Sequence, residues 1–320
     1  MEQARVSAIV TAFNGEPFIA AAIESVLGQT RPLDEIVVVD DGSTDRTPAI
    51  VERYRSRGVR LVRQENRGSS EARNRGIAET RGSLIAFLDC DDLWAPEKTE
   101  QQAQQLIDHP EVGLVTCDTW WWDAQADQLE VRPLRCGATQ SAIRRRLAVR
   151  NYLGNPSGVM VRRSAVEMVG VFDPAEIHAE DWELWRRIAS RFKVSILRSP
   201  LMVYRANPYS LTRRQGDERP DGYYALARRA IRSESLLWRP LLVLHALSWR
   251  EYSKTVYARD RDKRWQYLFH ALASFLCWPI EETSGKLRLV ARALLGERIF
   301  TAYKHHARIG PPPPRRRHFL

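Results

Sequence analysis

Asp89-Cys90-Asp91-Asp92 sets three carboxylates at the end of five consecutive apolar residues, Leu84-Ile85-Ala86-Phe87-Leu88. Preceded by Arg81-Gly82-Ser83, that run reads as a short strand buried on both faces inside a parallel sheet. Carboxylates emerging from a buried strand repel one another and resist desolvation unless a cation compensates them. A divalent metal carrying a nucleotide diphosphate would do so. Asp89 and Asp91 are two positions apart, and in an extended chain such residues point the same way. Hard oxygen ligands on a turn favour magnesium or manganese, with phosphates completing the coordination. The competing reading is a solvated acidic turn that caps the helix beginning near Pro96.

The elements around this turn alternate. Val6–Val10 is a strand that ends at Thr11-Ala12-Phe13-Asn14-Gly15. A helix from about Pro17 follows, with Ile19, Ala22, Ile23, Val26 and Leu27 at helical spacing and Gly28 closing it. Glu35–Val39 is a second buried strand ending at Asp40-Asp41-Gly42-Ser43-Thr44-Asp45, and Ser43 or Thr44 is a natural cap for the next helix. Val59–Val62 leads to Asn66-Arg67-Gly68 and a helix through Ala72 and Ile77, after which comes the strand before the acidic turn. Short connections between alternating strands and helices predict a mostly parallel sheet with right-handed crossovers. Ligands of such sheets collect beyond the carboxyl ends of the strands, where Thr11, Asp41 and Asp89-x-Asp91 all lie.

Beyond Pro96 the spacing predicts a helix over Glu97–Leu106 and a strand over Val112–Cys117. The pattern then loosens through Trp120-Trp121-Trp122 to a helix over Ser141–Val149, whose Arg144-Arg145-Arg146 should face solvent. A strand over Pro156–Val161, a helix over Ser164–Val169, a strongly amphipathic helix over Trp182–Ser190 opened by Glu180-Asp181, and strands at Val194–Leu197 and Leu201–Arg205 complete a first domain of residues 1–220. The three tryptophans could stack on a ring of a ligand, or belong to the core or an interface.

With 320 residues, 44% hydrophobic and 28% charged, the chain can bury a sizeable core. The four cysteines fall in no paired or metal-type spacing, which points to a reduced, cytoplasmic setting. No secretory signal opens the sequence, and the longest apolar run, Tyr267–Ile280, is too short to span a bilayer. The net charge of +10 is uneven: residues 221–320 hold 19 Lys and Arg against 8 Asp and Glu. This basic part reads as helices only, at Ala225–Leu237, Pro240–Tyr257, Trp265–Trp278 and Leu287–Tyr303. A region 221–310 is therefore helical, and residues 311–320 form a disordered Pro/Arg tail.

The motifs Val6-Ser7-x-Ile9-Val10-x-Ala12-Phe13-Asn14, Glu35–Asp45, Asn66-x-Gly68 with Ala72-Arg73-Asn74-x-Gly76, Phe87-Leu88-Asp89-x-Asp91-Asp92 and Glu180-Asp181-Trp182-Glu183-Leu184-Trp185 together resemble the family 2 glycosyltransferases. The resemblance implies an α/β fold of the GT-A (Rossmann-like) type with a mostly parallel central sheet flanked by helices. It also implies transfer of a sugar from a nucleotide-sugar, a UDP-sugar by this likeness, to an acceptor hydroxyl with inversion. Carried over by position, Thr11 and Asp41 match residues that hold the base, with Asp41 accepting from a uracil-type N–H. Arg73 matches an arginine near the diphosphate, Asp89 the ribose contact, Asp91 the direct ligand of Mn2+ or Mg2+, and Asp181 the general base. A metal and Arg73 would neutralise the leaving diphosphate, while a carboxylate on the far side of the anomeric carbon takes the acceptor's proton.

Each residue also has a plainer reading. Asp40–Ser43 could be a turn and cap, Glu180-Asp181 acids favoured by the dipole of a helix's first turn, and Arg73 a solvated arginine. His178 reads as a surface residue. One departure from many relatives is Asn207, where they carry a histidine two residues after Tyr204-Arg205. The basic helices either pack on the catalytic domain or lie on an anionic membrane surface beside a glycan or lipid-linked acceptor. No nucleic-acid module accompanies the basic tail. The rival functions are a sugar-phosphate nucleotidyltransferase, which needs a glycine-rich, basic loop that Thr11–Gly15 does not provide, and a non-catalytic partner with the same fold.

Overall fold

The computed structural model describes residues 4–123, 128–134, 136, 139–177, 179–206 and 219–257. The predicted helices at Trp265–Trp278 and Leu287–Tyr303, the tail 311–320, His178 and Asn207 lie outside these. Four strands, β1 (Val6–Ala12), β2 (Glu35–Asp41), β3 (Val59–Gln64) and β4 (Leu84–Asp89), alternate with α1 (Ile19–Leu27), α2 (Thr47–Glu52) and α3 (Ser69–Glu79). Then follow β5 (Leu93–Trp94), α4 (Lys98–Asp108), β6 (Val112–Asp123), β7 (Gln128–Arg132), α5 (Gln140–Leu147), β8 (Met160–Arg162), α6 (Arg163–Val169), α7 (Glu180–Arg191) and β9 (Lys193–Arg205).

The described strands form one sheet in the order β3-β2-β1-β4-β8-β6-β9-β5, with β7 paired to β6. Its first four strands are parallel; β1, β2 and β4 are the unbroken apolar runs, as suits strands covered on both faces, while the edge strand β3 exposes Arg60 and Arg63. From β8 onward directions mix: β8 is antiparallel to β4 and to β6, while β9 is parallel to β6. The core runs through both halves, from Val6, Val10, Ile19 and Ile23 to Val115, Met160 and Met202. Registry fixes the working edge, since Thr11 stands level with both Val39 and Asp89, and Asp41 with Gln64.

Several local expectations are revised. The helix after β2 begins at Thr47, and neither Ser43 nor Thr44 caps it. Ser43 Oγ instead accepts the Asn14 N–H at 2.9 Å, and the Asp45 carboxylate takes the Thr47 N–H at 2.9 Å. The two strands expected at 194–197 and 201–205 are one. The register slips where Cys117 faces Leu197 and Asp118 faces Pro200, so the bulge lets the strand pass a residue with no N–H to give. Pro156–Gly158 is a 3-10 turn, and strand β8 begins only at Met160. Of Arg144-Arg145-Arg146 only Arg144 is exposed, and even its Nε donates to the Ala189 carbonyl at 2.7 Å.

Helix α3 approaches β1 so closely that a Cβ on Gly76 would stand 2.3 Å from Ile9 Cγ2. Gly76→Ala should therefore push the helix carrying Arg73 off the sheet and lower stability by about 2 kcal/mol, read as a lower urea midpoint at unchanged slope.

Two compact units divide the described residues, the first holding those up to Arg144 and 151–206, the second Arg145–Arg150 and 219–257. In the second, helix Arg219–Ile231 buries Leu226, Ala227, Ala230 and Ile231, and helix Arg239–Tyr257 buries Leu242 and Ala246. Among the described residues no helix is long and apolar enough to cross a membrane.

Candidate active site

Thr11, Arg73 and Asp89 meet at the carboxyl edge of the parallel strands. Thr11 Oγ1 donates to Asp89 Oδ1 at 3.1 Å, and Arg73 Nη2 donates to the same oxygen at 2.8 Å. Arg73 Nη1 reaches Glu180 Oε1 at 3.1 Å, and the guanidinium lies 5.5 Å from the centre of the Phe172 ring. Arg73 is buried, not solvated. Burial by itself would favour its neutral form, yet Asp89 and Glu180 outweigh it and hold the charge. One guanidinium thus joins the end of β4 to the first turn of α7.

The acidic turn is uneven in its demands. Asp92 is buried and fully engaged: its Oδ2 accepts from Asn155 Nδ2 at 2.9 Å and its Oδ1 from the Arg205 N–H at 3.3 Å. Arg205 also laces the turn's backbone, donating from Nε to the Asp91 carbonyl. Asp91 is half-buried, and among the described residues no lysine or arginine forms an ion pair with its carboxylate. Burial first, and then the charge of Asp89, push the Asp91 carboxyl up to about 6, while burial and the neighbouring Asp91 push Asp92 well above the usual range. Negative charge is concentrated here beyond what the neighbouring arginines compensate.

Among the described residues no three His, Cys, Asp or Glu side chains are grouped as a metal cage. That donor set still fits magnesium or manganese, which keep waters and bind through one or two carboxylates plus substrate phosphates. Asp91 is the half-exposed carboxylate able to serve.

Asp181 sits in the first turn of α7, one residue beyond the glutamate that Arg73 grips. Its Oδ2 accepts from Asn151 Nδ2 at 2.9 Å, and its Oδ1 from the N–H of Trp182 at 2.5 Å. Burial, then Glu180 beside it, push the carboxyl up to about 7, against the pull of Arg73. Trp185 and Phe172 pack under this turn against Phe87 of β4, with ring centres 5.4–6.3 Å apart.

Asp41 lies farther along the edge and already takes three donors. Its Oδ1 accepts from Gln64 Nε2 at 2.7 Å and from the Arg67 N–H at 2.9 Å, and its Oδ2 from the Gly68 N–H at 2.9 Å. A carboxylate has about four acceptor positions, so one remains on Oδ2. Beside it Gly42, Ser43, Arg63, Gln64, Glu65 and Asn66 line an open cleft of about 530 Å³. A side chain on Gly42 would stand 2.8 Å from the Asn66 nitrogen. Trp121 is occupied on both faces, stacked on Tyr204 at 4.5 Å and covered by Arg132 at 3.6 Å, so it offers no free ring to a sugar.

Sequence reasoning did not single out Glu180 as Arg73's partner, Arg205 as the brace of the acidic turn, or Asn151, Asn155 and Ser157. For the last three the signal was available only as polar residues in 151–157, between two better-patterned elements.

An α/β sheet whose parallel half ends in converging acids, continued by a mixed half, defines the GT-A class of fold. The chain belongs to glycosyl transferase family 2, whose model matches residues 7–170, just over half its length. The succinoglycan biosynthesis protein ExoO of Rhizobium meliloti is 43% identical over 101 residues, 31% of this chain and 29% of that one. The crystal structure of S. aureus TarS 1-349 in complex with UDP-GlcNAc superposes with a TM-score of 0.64 at 17% identity, covering 94% of this chain and 92% of that one. The mannosyltransferase PcManGT from Pyrobaculum calidifontis, in complex with GDP-Man and Mn2+, gives 0.61 at 21% identity, over 95% and 84%. At those identities the two structures speak for the fold. The chain spans about half the length of the curated relatives it matches.

Proposed function

We propose that this chain is an inverting glycosyltransferase that moves a sugar from a UDP-sugar to an acceptor hydroxyl in the building of a cell-surface glycan. The observation that carries the reading is the Arg73 guanidinium held between Asp89 and Glu180, because it sets the acidic turn and the Asp181 carboxylate around one cationic centre. Asp41 offers its remaining acceptor position to the N–H of the base, with Thr11 at the neighbouring strand end. Asp89 faces the ribose. Asp91 would hold Mn2+ or Mg2+ with the diphosphate oxygens, and the bound ion supplies charge neutralisation for the leaving group. Arg73 stabilises the same developing charge. Asp181 accepts the proton of the attacking hydroxyl, a task suited to a carboxyl raised toward neutrality. A metal and a nucleotide-sugar accompany PcManGT and a UDP-sugar accompanies TarS, which supports the donor class. ExoO's place in succinoglycan biosynthesis supports the glycan.

A thermal-shift panel of UDP- and GDP-sugars, each with and without Mn2+, tests this reading. The expected result is a melting rise for UDP-sugars that requires the ion, since a ligand of the native state raises its stability. Rises for GDP-sugars alone would reassign the base, and no rise with any of them would remove the function.

Working at the inner face of the membrane is part of the same proposal. The second unit exposes Leu236 and Leu237 at 77% and 79%, with Trp238, Leu241 and Leu244 partly exposed and Arg228, Arg229 and Arg232 also at the surface. Apolar side chains amid cations suit an anionic bilayer. The protein should float with phosphatidylglycerol vesicles but not phosphatidylcholine vesicles, and L236D/L237D should weaken flotation about tenfold or more.

A further inference from the structure

The loop Asn151–Ser157 touches the site at both ends. At its start Asn151 Nδ2 donates to Asp181 Oδ2 at 2.9 Å. At its end Asn155 Nδ2 donates to Asp92 Oδ2 at 2.9 Å, and Ser157 Oγ accepts the Asp89 N–H at 3.1 Å. The loop is stiff between these points. Asn151 closes it on itself, donating to the Gly154 carbonyl at 3.0 Å and accepting the Leu153 N–H at 2.9 Å. Thr116 Oγ1 holds the Leu153 carbonyl at 2.7 Å, the Trp94 indole holds the Ser157 carbonyl at 2.9 Å, and the Gln102 amide holds the Gly158 carbonyl at 2.8 Å. Gly154 takes a left-handed φ of 81°, and Leu153 and Ser157 are fully buried.

We propose that Asn151, Asn155 and Ser157 are positioning residues: their loop is a rigid spacer that sets the distance and orientation between the Asp181 carboxylate and the acidic turn. This rests on the roles proposed above for Asp181 and Asp91. A single displacement needs the proton acceptor and the departing diphosphate on opposite sides of one carbon, and a misplacement of about 1 Å can cost on the order of a hundredfold. Arg73 draws the two halves together through Glu180 and Asp89 by charge. The loop holds them at a fixed spacing by directed hydrogen bonds. Neither Asn151 nor Asn155 hydrogen-bonds to Arg73, so the two devices are separable by mutation.

The spacer makes distinct predictions for its two ends, tested on the full chain with UDP and Mn2+ as the binding probe and UDP-GlcNAc hydrolysis as the turnover probe. The groups facing Asp181 are Glu180 of its own helix, Arg73 of α3 and Asp89 of β4, and none is altered by these variants. Asn151→Ala removes a donor to the ionised carboxylate, so the acid limb of turnover should rise by about one pH unit. Turnover at the plateau should fall about ten- to a hundredfold, with UDP–Mn2+ affinity unchanged. Asn151→Asp keeps the acceptor for Leu153 but sets a like charge against Asp181, so the limb should move further in the same direction. Asn155→Ala should weaken UDP–Mn2+ binding about tenfold and leave the limb in place. A general loosening of the loop would change binding and turnover alike in all three variants and leave the limb where it was, and that pattern overturns the proposal. Carbon-13 titration of the Asp181 carboxyl, assigned by Asp181→Asn, reads the Asn151 contact without activity. An unmoved titration in Asn151→Ala overturns the spacer, whereas turnover that survives Asp181→Asn overturns the base assignment instead.

Discussion

Asp181→Asn is expected to lower turnover by about a thousandfold while leaving the melting rise with a UDP-sugar and Mn2+ intact. General-base catalysis typically contributes 10²–10⁴-fold, and asparagine keeps the shape and one of the two acceptor contacts but cannot take a proton. The wild-type rate should climb with pH through about 7, the region to which burial and Glu180 have pushed this carboxyl, because only its ionised form accepts the proton. Stability should move the opposite way. A carboxyl whose native pKa is raised favours folding when protonated and loses that contribution as pH rises through the native value. The variant should therefore melt above wild type at pH 8, with the gap closing by pH 4. Calorimetric scans at both pH values, beside an initial-rate profile, check the pair of signs. Full activity in Asp181→Asn, or a rate that falls as pH rises through 7, would remove Asp181 from the role.

The second large effect belongs to Asp91. Asp91→Ala should abolish the Mn2+-dependent part of the thermal shift and reduce turnover by about 10²-fold or more, since a metal that stabilises transferring charge contributes several kcal/mol. The variant should nonetheless fold at least as well as wild type. Burial and Asp89 make the ionised Asp91 costly, and among the described residues no cation pairs with it. Loss of metal response together with a preserved or raised melting temperature is the diagnostic combination. Asp92→Ala should differ sharply: that carboxylate is pinned by Asn155 and the Arg205 backbone, so its removal loosens the turn itself. A metal response equal to wild type in Asp91→Ala would place the ion elsewhere.

Arg73 was open to being one more solvated arginine, but it is buried between two carboxylates. Of the three tryptophans open to stacking on a ligand ring, Trp121 already has Tyr204 on one face and Arg132 on the other.

Much of the parallel half was legible in the sequence because its signals are local. A five-residue apolar run can lie flat only when both faces are buried, and the polar residues after each run mark the carboxyl edge. Thr11 and Asp89 accordingly appear side by side in the register. The mixed half was less legible: β5 has two residues and β8 three, too short for any period to show, and β9 hides a bulge at Pro200.

By itself, the sequence determined the order of strands and helices in the parallel half and the strand ends at which the acids would emerge, because burial patterns act over a few residues. Only the tertiary structure decided that Arg73 would bind a glutamate 107 positions away, that Asp41 would spend three of its acceptor positions on the end of β3 and the residues just after it, and that residues 151–157 would touch both sides of the site. Such contacts depend on where loops close in space, and polar side chains on loops carry no periodicity from which that closure can be read.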